Sequence, residues 1–157
     1  MRENIHSLSV DRETLMRKIL VAVDGSDNAL RALDFAVKQA GYAPQAVLHV
    51  LNVQLPPSTY TAWEIYVSAE TIRDIAAERA RSILESTGTR LKGGGCAFQL
   101  EQLEGDPAET IGRRAAELGC ESIVMGTHGL GPLGIPFMGS VAQKVVHHAT
   151  VPVTVVK

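Results

Sequence analysis

Lys18-Ile-Leu-Val-Ala-Val-Asp24, followed at once by Gly25-Ser26, decides the fold. The run from Ile19 to Val23 is apolar without a break. It has no polar face to offer water, so it reads as a strand buried on both sides. Strands of that kind belong to parallel sheets, whose crossover helices cover both faces. Directly afterwards the spacing becomes helical. Leu30, Leu33, Val37 and Ala40 fall on one face, Ser26 stands where it can cap the first turn, and Gly41 stands where it can close the last. Residues 46–53 form a second apolar run, and residues 68–86 a second helix with Ile72, Ile75, Ala76, Ala80, Ile83 and Leu84 on its apolar stripe.

The alternation continues to the last residue. Gly93-Gly94-Gly95 is a turn, and residues 96–103 form a third strand. Asp106-Pro107-Ala108-Glu109 has the grammar of a helix start: a capping Asp, Pro at the first helical position and Glu three residues after the cap. Gly119 ends that helix, residues 122–125 form a fourth strand, residues 140–148 a last helix and residues 151–156 a last strand. Strictly alternating elements predict an α/β fold, an open parallel five-stranded sheet with helices on both faces and right-handed crossovers. Residues 1–16 read as an N-terminal extension and 17–157 as one domain.

Composition narrows the function. The chain has 157 residues, 45% of them hydrophobic and 20% charged, with a net charge of -2. That is the balance of a soluble domain, without the basic stripe of a nucleic-acid binder or the polybasic surface of a membrane binder. The extension carries Arg2, Glu3, Asp11, Arg12 and Glu13 and lacks the apolar stretch of a signal peptide. No apolar run approaches the ~20 residues of a membrane span. Cys96 and Cys120 lie beside apolar runs with no C-x-x-C, so they read as buried free thiols of a reducing, cytoplasmic compartment.

In an open parallel sheet, ligands bind beyond the carboxyl ends of the strands, where the strand order reverses. Two segments emerge there with suggestive residues. One is Asp24-Gly25-Ser26. The other runs from Gly126 to Ser140 and holds five of the 14 glycines. Glycine lets the backbone approach a ligand closely. Gly139-Ser140 opens a helix, whose first amides are unpaired and carry about half a positive charge, so a phosphate is the natural occupant. The residues alone leave a second reading open, a plain loop with Ser140 as an ordinary cap; Pro132 and Pro136, which fix φ, argue against simple floppiness.

The spacing Gly126-x2-Gly129-x9-Gly139-Ser140 resembles the Gly-x2-Gly-x9-Gly-Ser/Thr pattern of the ATP-binding branch of the universal stress protein family. The run from Ile19 to Ser26 resembles that family's opening strand, Leu48-His-Val50 its second, Met125-Gly-Thr-His-Gly129 its fourth, and the run from Ala149 to Val156 its last. The resemblance covers residues 17–157. It implies strand order 3-2-1-4-5 with ATP across the ends of strands one and four. Asp24 is then expected at the adenine or ribose edge, Val50 against the base, and Met125 and Gly126 along the ribose. Gly129, Gly139, Ser140 and Val141 are expected around the phosphates. For Asp24 a turn-forming role stands beside this one, and Val50 reads equally as core. The resemblance further implies a homodimer formed by antiparallel pairing of the last strands, 151–156, and a regulatory stress-response role with slow or no hydrolysis. A dimeric interaction module in which nucleotide is dispensable is the alternative.

No Lys or Arg occurs between Arg114 and Lys144, whereas members of the family often carry basic residues in this loop. ATP brings about four negative charges that backbone dipoles compensate only modestly, so a divalent cation, Mg or Mn, is expected to accompany it. Other nucleotide folds fail on their motifs. The turn Asp24-Gly-Ser-Asp-Asn-Ala29 is not G-x-G-x-x-G, and G-x4-G-K-[ST] is absent. A receiver-like reading of Asp24, Asp27 and Asp106 lacks its lysine after the fifth strand and leaves the glycine-rich loop unexplained. Sequence alone does not show what would orient His128 for general-base work, nor a base for Ser26 or Ser140. The adjacent His147-His148 point to different faces of a helix and read as no metal site. Tyr60, Trp63 and Tyr66 follow the second strand and read either as a lid over the base or as packing against their own helix.

Overall fold

The computed structural model describes residues 17–43, 45–59, 68–128 and 138–157. The extension over residues 1–16, the aromatic trio Tyr60, Trp63 and Tyr66, and Gly129 lie outside the described residues. The elements run β1 (Lys18–Ala22), α1 (Asp27–Gly41), β2 (Val47–Gln54), a short 3-10 turn (Pro57–Thr59), α2 (Ala69–Lys92), β3 (Ala97–Glu104), α3 (Pro107–Glu117), β4 (Ser122–Gly126), α4 (Ser140–His148) and β5 (Val153–Val156). All pairings are parallel, in the order β3-β2-β1-β4-β5. The α/β class and the strand order are those expected.

Two cores explain why β1 has no polar face. On one side Val21, Leu48, Val50 and Val124 pack under α1, with Leu33 and Ala36, and under α2, with Leu91. On the other side Leu20, Leu51, Ile123 and Met125 pack under α3, with Ile111 and Ala115, and α4, with Ala142 and Val145. Leu20, Leu33, Leu48 and Ile123 are fully buried, each worth roughly 1.5–3 kcal/mol of burial.

The caps form as expected. Ser26 Oγ accepts the Ala29 amide at 3.2 Å, and Asp106 Oδ1 accepts the Glu109 amide at 3.0 Å. Gly119 follows α3 with φ +65, the left-handed residue that closes a helix. Gly41 does not play that part: it is the last helical residue, and Tyr42 ends α1 in a right-handed conformation. The second helix continues to Lys92 instead of stopping near residue 86. Gly88 sits inside it, where a Cβ would stand 3.0 Å from Leu100 Cδ1. That glycine admits the neighbouring strand and does not break the helix. β5 starts at Val153, two residues later than expected. The Ile123 amide still bonds the Pro152 carbonyl at 2.9 Å, but Pro152 has no amide to give back.

Cys120 is buried and Cys96 half-buried, and both are free. Burial pushes both thiols above their ordinary pKa, which keeps them protonated and unreactive. Among the described residues no helix is long and apolar enough to cross a membrane.

Candidate functional site at the ends of β1 and β4

The chain leaves β1 in one direction through β2 to β3, then returns beside β1 as β4 and continues outward to β5. The strand order therefore reverses between β1 and β4, and in open α/β sheets ligands bind beyond the carboxyl ends of the strands at such a point. Three segments meet there.

The first is the turn after β1. Gly25 has φ +85, a left-handed conformation that side chains rarely adopt. Asp24 Oδ1 accepts the Ser26 amide at 3.0 Å, so Asp24 does form the turn. Its other oxygen, Oδ2, accepts no hydrogen bond among the described residues and is left as an acceptor at the strand end. The Ser26 hydroxyl is spent on capping α1 and on a long contact, 3.5 Å, to the His128 carbonyl.

The second segment leaves β4. Gly126 lies against the first turn of α1: a Cβ there would be 2.8 Å from Asn28 Cβ and 3.0 Å from the Ala29 amide nitrogen. Its bareness is thus required by helix packing, whatever ligand lies beyond. Asn28 Nδ2 donates to the His128 carbonyl at 3.3 Å, while its Oδ1 accepts from Arg31, which also donates to the Lys157 carbonyl at 2.7 Å. His128 Nδ1 stands 3.1 Å from Thr127 Oγ1.

The third segment is the start of α4. The Gly139 amide donates to the Thr127 carbonyl at 2.7 Å, and a Cβ on Gly139 would stand 3.1 Å from that same oxygen. Gly139 is the N-cap and supplies no side-chain bond. The amides of Ser140, Val141 and Ala142 then have no partner within the helix. Ser140 is exposed, Val141 half-buried and Ala142 buried.

The fold thus brings Asp24, Met125, Gly126, Gly139, Ser140 and Val141 to one end of the sheet. Val50 stands apart, fully buried in the core between Val21 and Leu100. Two residues that sequence reading passed over hold the site together. Asn28 ties α1 to the β4 exit. Asn52, almost wholly buried, donates from Nδ2 to the Val23 carbonyl at 2.8 Å where β1 leaves the sheet. A lone polar residue in the apolar run Leu51-Asn52-Val53 was the available signal.

The arrangement is bipolar. Main-chain donors at the positive end of α4 face anions, and the Asp24 carboxylate accepts from hydroxyl or amino groups. Phosphates at one end of a nucleotide and the sugar or base at the other match those two poles. Among the described residues no three His, Cys, Asp or Glu side chains are grouped to hold a metal.

The sequence model described as Universal stress protein family matches residues 16–157, and the chain belongs to that family. It is 32% identical over 148 residues to the universal stress protein YxiE of Bacillus subtilis, an alignment covering 91% of this chain and all of that one. Its fold superposes on universal stress protein UspA from Lactobacillus plantarum with a TM-score of 0.79 and 27% identity, covering 90% of this chain and 98% of that one. A universal stress protein solved in complex with cAMP superposes with a TM-score of 0.69 and 25% identity, covering 90% of this chain and 97% of that one.

Proposed function

We propose that this chain is an ATP-binding regulatory module that acts in the cytoplasm as a homodimer, with slow or no hydrolysis. The observation that carries the nucleotide is the start of α4, which has no side-chain cap among the described residues, at the same sheet end as the Asp24 carboxylate. The adenine nucleotide in a related structure supports it. In this reading Ser140, Val141 and the backbone at Gly139 hold the phosphates, Asp24 accepts from the ribose or adenine, and Met125 and Gly126 line the ribose. Gly129 joins the phosphate cup. Val50 shapes the base end from within the core. Mass spectrometry of the natively purified chain tests the assignment: a co-purifying adenine nucleotide supports it, and purified chain that neither carries nor takes up ATP refutes it.

A divalent cation, Mg or Mn, completes the proposal. No grouped carboxylates are on hand among the described residues, so the phosphates themselves would hold it, with waters filling its octahedron. Calorimetric ATP affinity should fall by at least about tenfold, roughly 1.4 kcal/mol, when EDTA removes the cation. Unchanged affinity would remove the cation from the proposal.

The dimer rests on β5. Among the described residues it pairs with β4 on one side only, and an open edge pairs readily with a second strand. Antiparallel pairing about a twofold axis near Thr154 would close both sheets into one. Sedimentation should give a dimer at micromolar concentration, and a Val155→Pro variant, which removes an amide donor facing away from β4, should sediment as monomer. A wild-type chain that stays monomeric there removes the proposal.

A further inference from the structure

Two side-chain hydrogen bonds link the turn after β1 to the carboxyl end of β2. Asn52 follows Val50 by two residues on β2, so both face the α1 and α2 side of the sheet. Its Nδ2 donates to the Val23 carbonyl at 2.8 Å. A carbonyl only accepts, so the Asn52 amide has one orientation, with Oδ1 turned away from Val23. Gln54, two residues further along the same face, donates to that oxygen from Nε2 at 2.7 Å. The Gln54 amide is thereby oriented in turn. Its Oε1 accepts no hydrogen bond among the described residues.

The backbone on either side of this relay is held. The Val23 amide donates to the Leu51 carbonyl at 2.9 Å, and the Gly105 amide donates to the Gln54 carbonyl at 2.9 Å. The Val23 carbonyl belongs to the planar peptide that leads into Asp24, so Asn52 sets the plane from which the Asp24 turn starts. That turn leans toward the same face, since a Cβ on Gly25 would stand 3.1 Å from Ile83 Cγ1 on α2. Gln54 itself is half-buried at the last position of β2. The relay therefore ties two acceptors, Asp24 Oδ2 and Gln54 Oε1, to one fixed piece of backbone at the sheet end. Acceptors select a ligand edge that brings donors and disfavour one that brings a keto oxygen.

We propose that Gln54, oriented by Asn52, is a specificity-determining residue of the strand-end site, its Oε1 accepting from the exocyclic amine of a 6-aminopurine. The inference rests on the nucleotide reading above and adds to it the residue that chooses the base.

ATP and inosine triphosphate are the probes, because the second carries an oxygen where the first carries the amine; tripolyphosphate reports on the phosphate pole alone. All three are titrated calorimetrically into the full chain at one magnesium concentration. ATP is expected to bind about tenfold more tightly than inosine triphosphate, the scale of one neutral hydrogen bond. Gln54→Leu should bring that ratio close to one and leave tripolyphosphate binding within about twofold. Asn52→Leu should collapse the ratio in the same way, and the double variant should lose no further discrimination, because the two amides act as one unit. Where Asn52→Leu fails to fold, Gln54→Leu decides, its side chain standing half-buried at a strand end. Equal binding of the two nucleotides by the parent chain, or a ratio that survives Gln54→Leu, overturns the role of Gln54 while the nucleotide reading stands. A parent chain that binds none of the three probes overturns the nucleotide reading, and this inference with it.

Discussion

Replacing Gly139 by valine is expected to weaken ATP binding by at least about a hundredfold, close to 2.7 kcal/mol, while the circular dichroism spectrum stays that of the parent. The backbone at Gly139 has φ -62 and ψ 154, which any residue adopts, so the substitution carries no torsional strain. What it adds is bulk in the wrong place. The first carbon presses on the Thr127 carbonyl from 3.1 Å, the same oxygen that the Gly139 amide grips at 2.7 Å. Two methyl groups then stand over the open amides of α4, where a phosphate needs contact at hydrogen-bond distance. The local crowding should lower stability by about 1 kcal/mol, the small end of overpacking penalties. Gly139→Ser makes a useful companion. Its hydroxyl can cap the helix itself, so it should keep or raise the melting temperature yet still lose ATP, because cap and phosphate compete for the same amides. Calorimetric titration of both variants decides the matter. If valine leaves ATP affinity within about threefold, the phosphates are not held at this helix end.

That prediction separates what could be read from the residues from what could not. The strands announce themselves because β1, β2 and β4 are covered on both faces, and double coverage demands uninterrupted apolar runs. The helix starts at Ser26 and Asp106 were legible because capping is local chemistry, settled within three residues. The end of α2 was not. The helix runs on through Gly88 because Leu100 on β3, far off in sequence, takes the space of a side chain there. The placement of the candidate residues was legible in the same uneven way. Glycine spacing located the β4 exit and the α4 start, and the fold brings both beside Asp24. Asn28 and Asn52 were missed because each acts through a carbonyl supplied by another strand or loop, His128 in one case and Val23 in the other. Val50 illustrates the converse. Apolar pattern alone makes it core, and it is fully buried; the expectation that it packs against the base came from resemblance alone.

Gly126 carries the largest stability prediction. Reading the glycines as a ligand cradle assigns it to the ribose, yet its missing side chain is first a condition for seating α1. An added Cβ would sit 2.8 Å from Asn28 Cβ, 2.9 Å from the Asn28 carbonyl carbon and 3.0 Å from the Ala29 nitrogen. Two of those three neighbours are backbone, and they belong to a helix start already held by the Ser26 cap and by the bond from Asn28 to the His128 carbonyl. The helix cannot yield without lifting Ala29, Ala32 and Leu33 off the core. Gly126→Val should therefore cost about 3 kcal/mol, the upper part of the range for forced overpacking. In a domain of this size that is a drop of roughly 6–12 °C in melting temperature. Gly112→Ala supplies the contrast, since a Cβ at that helical position meets nothing within 4 Å. It should stabilise by about 0.5–1 kcal/mol, because alanine loses less backbone freedom on folding than glycine. Thermal melts of the two variants side by side distinguish packing from a general sensitivity to glycine replacement. If Gly126→Val melts with the parent but no longer binds nucleotide, the close approach of α1 is not what reserves the position. The bare backbone would then be serving the ligand alone.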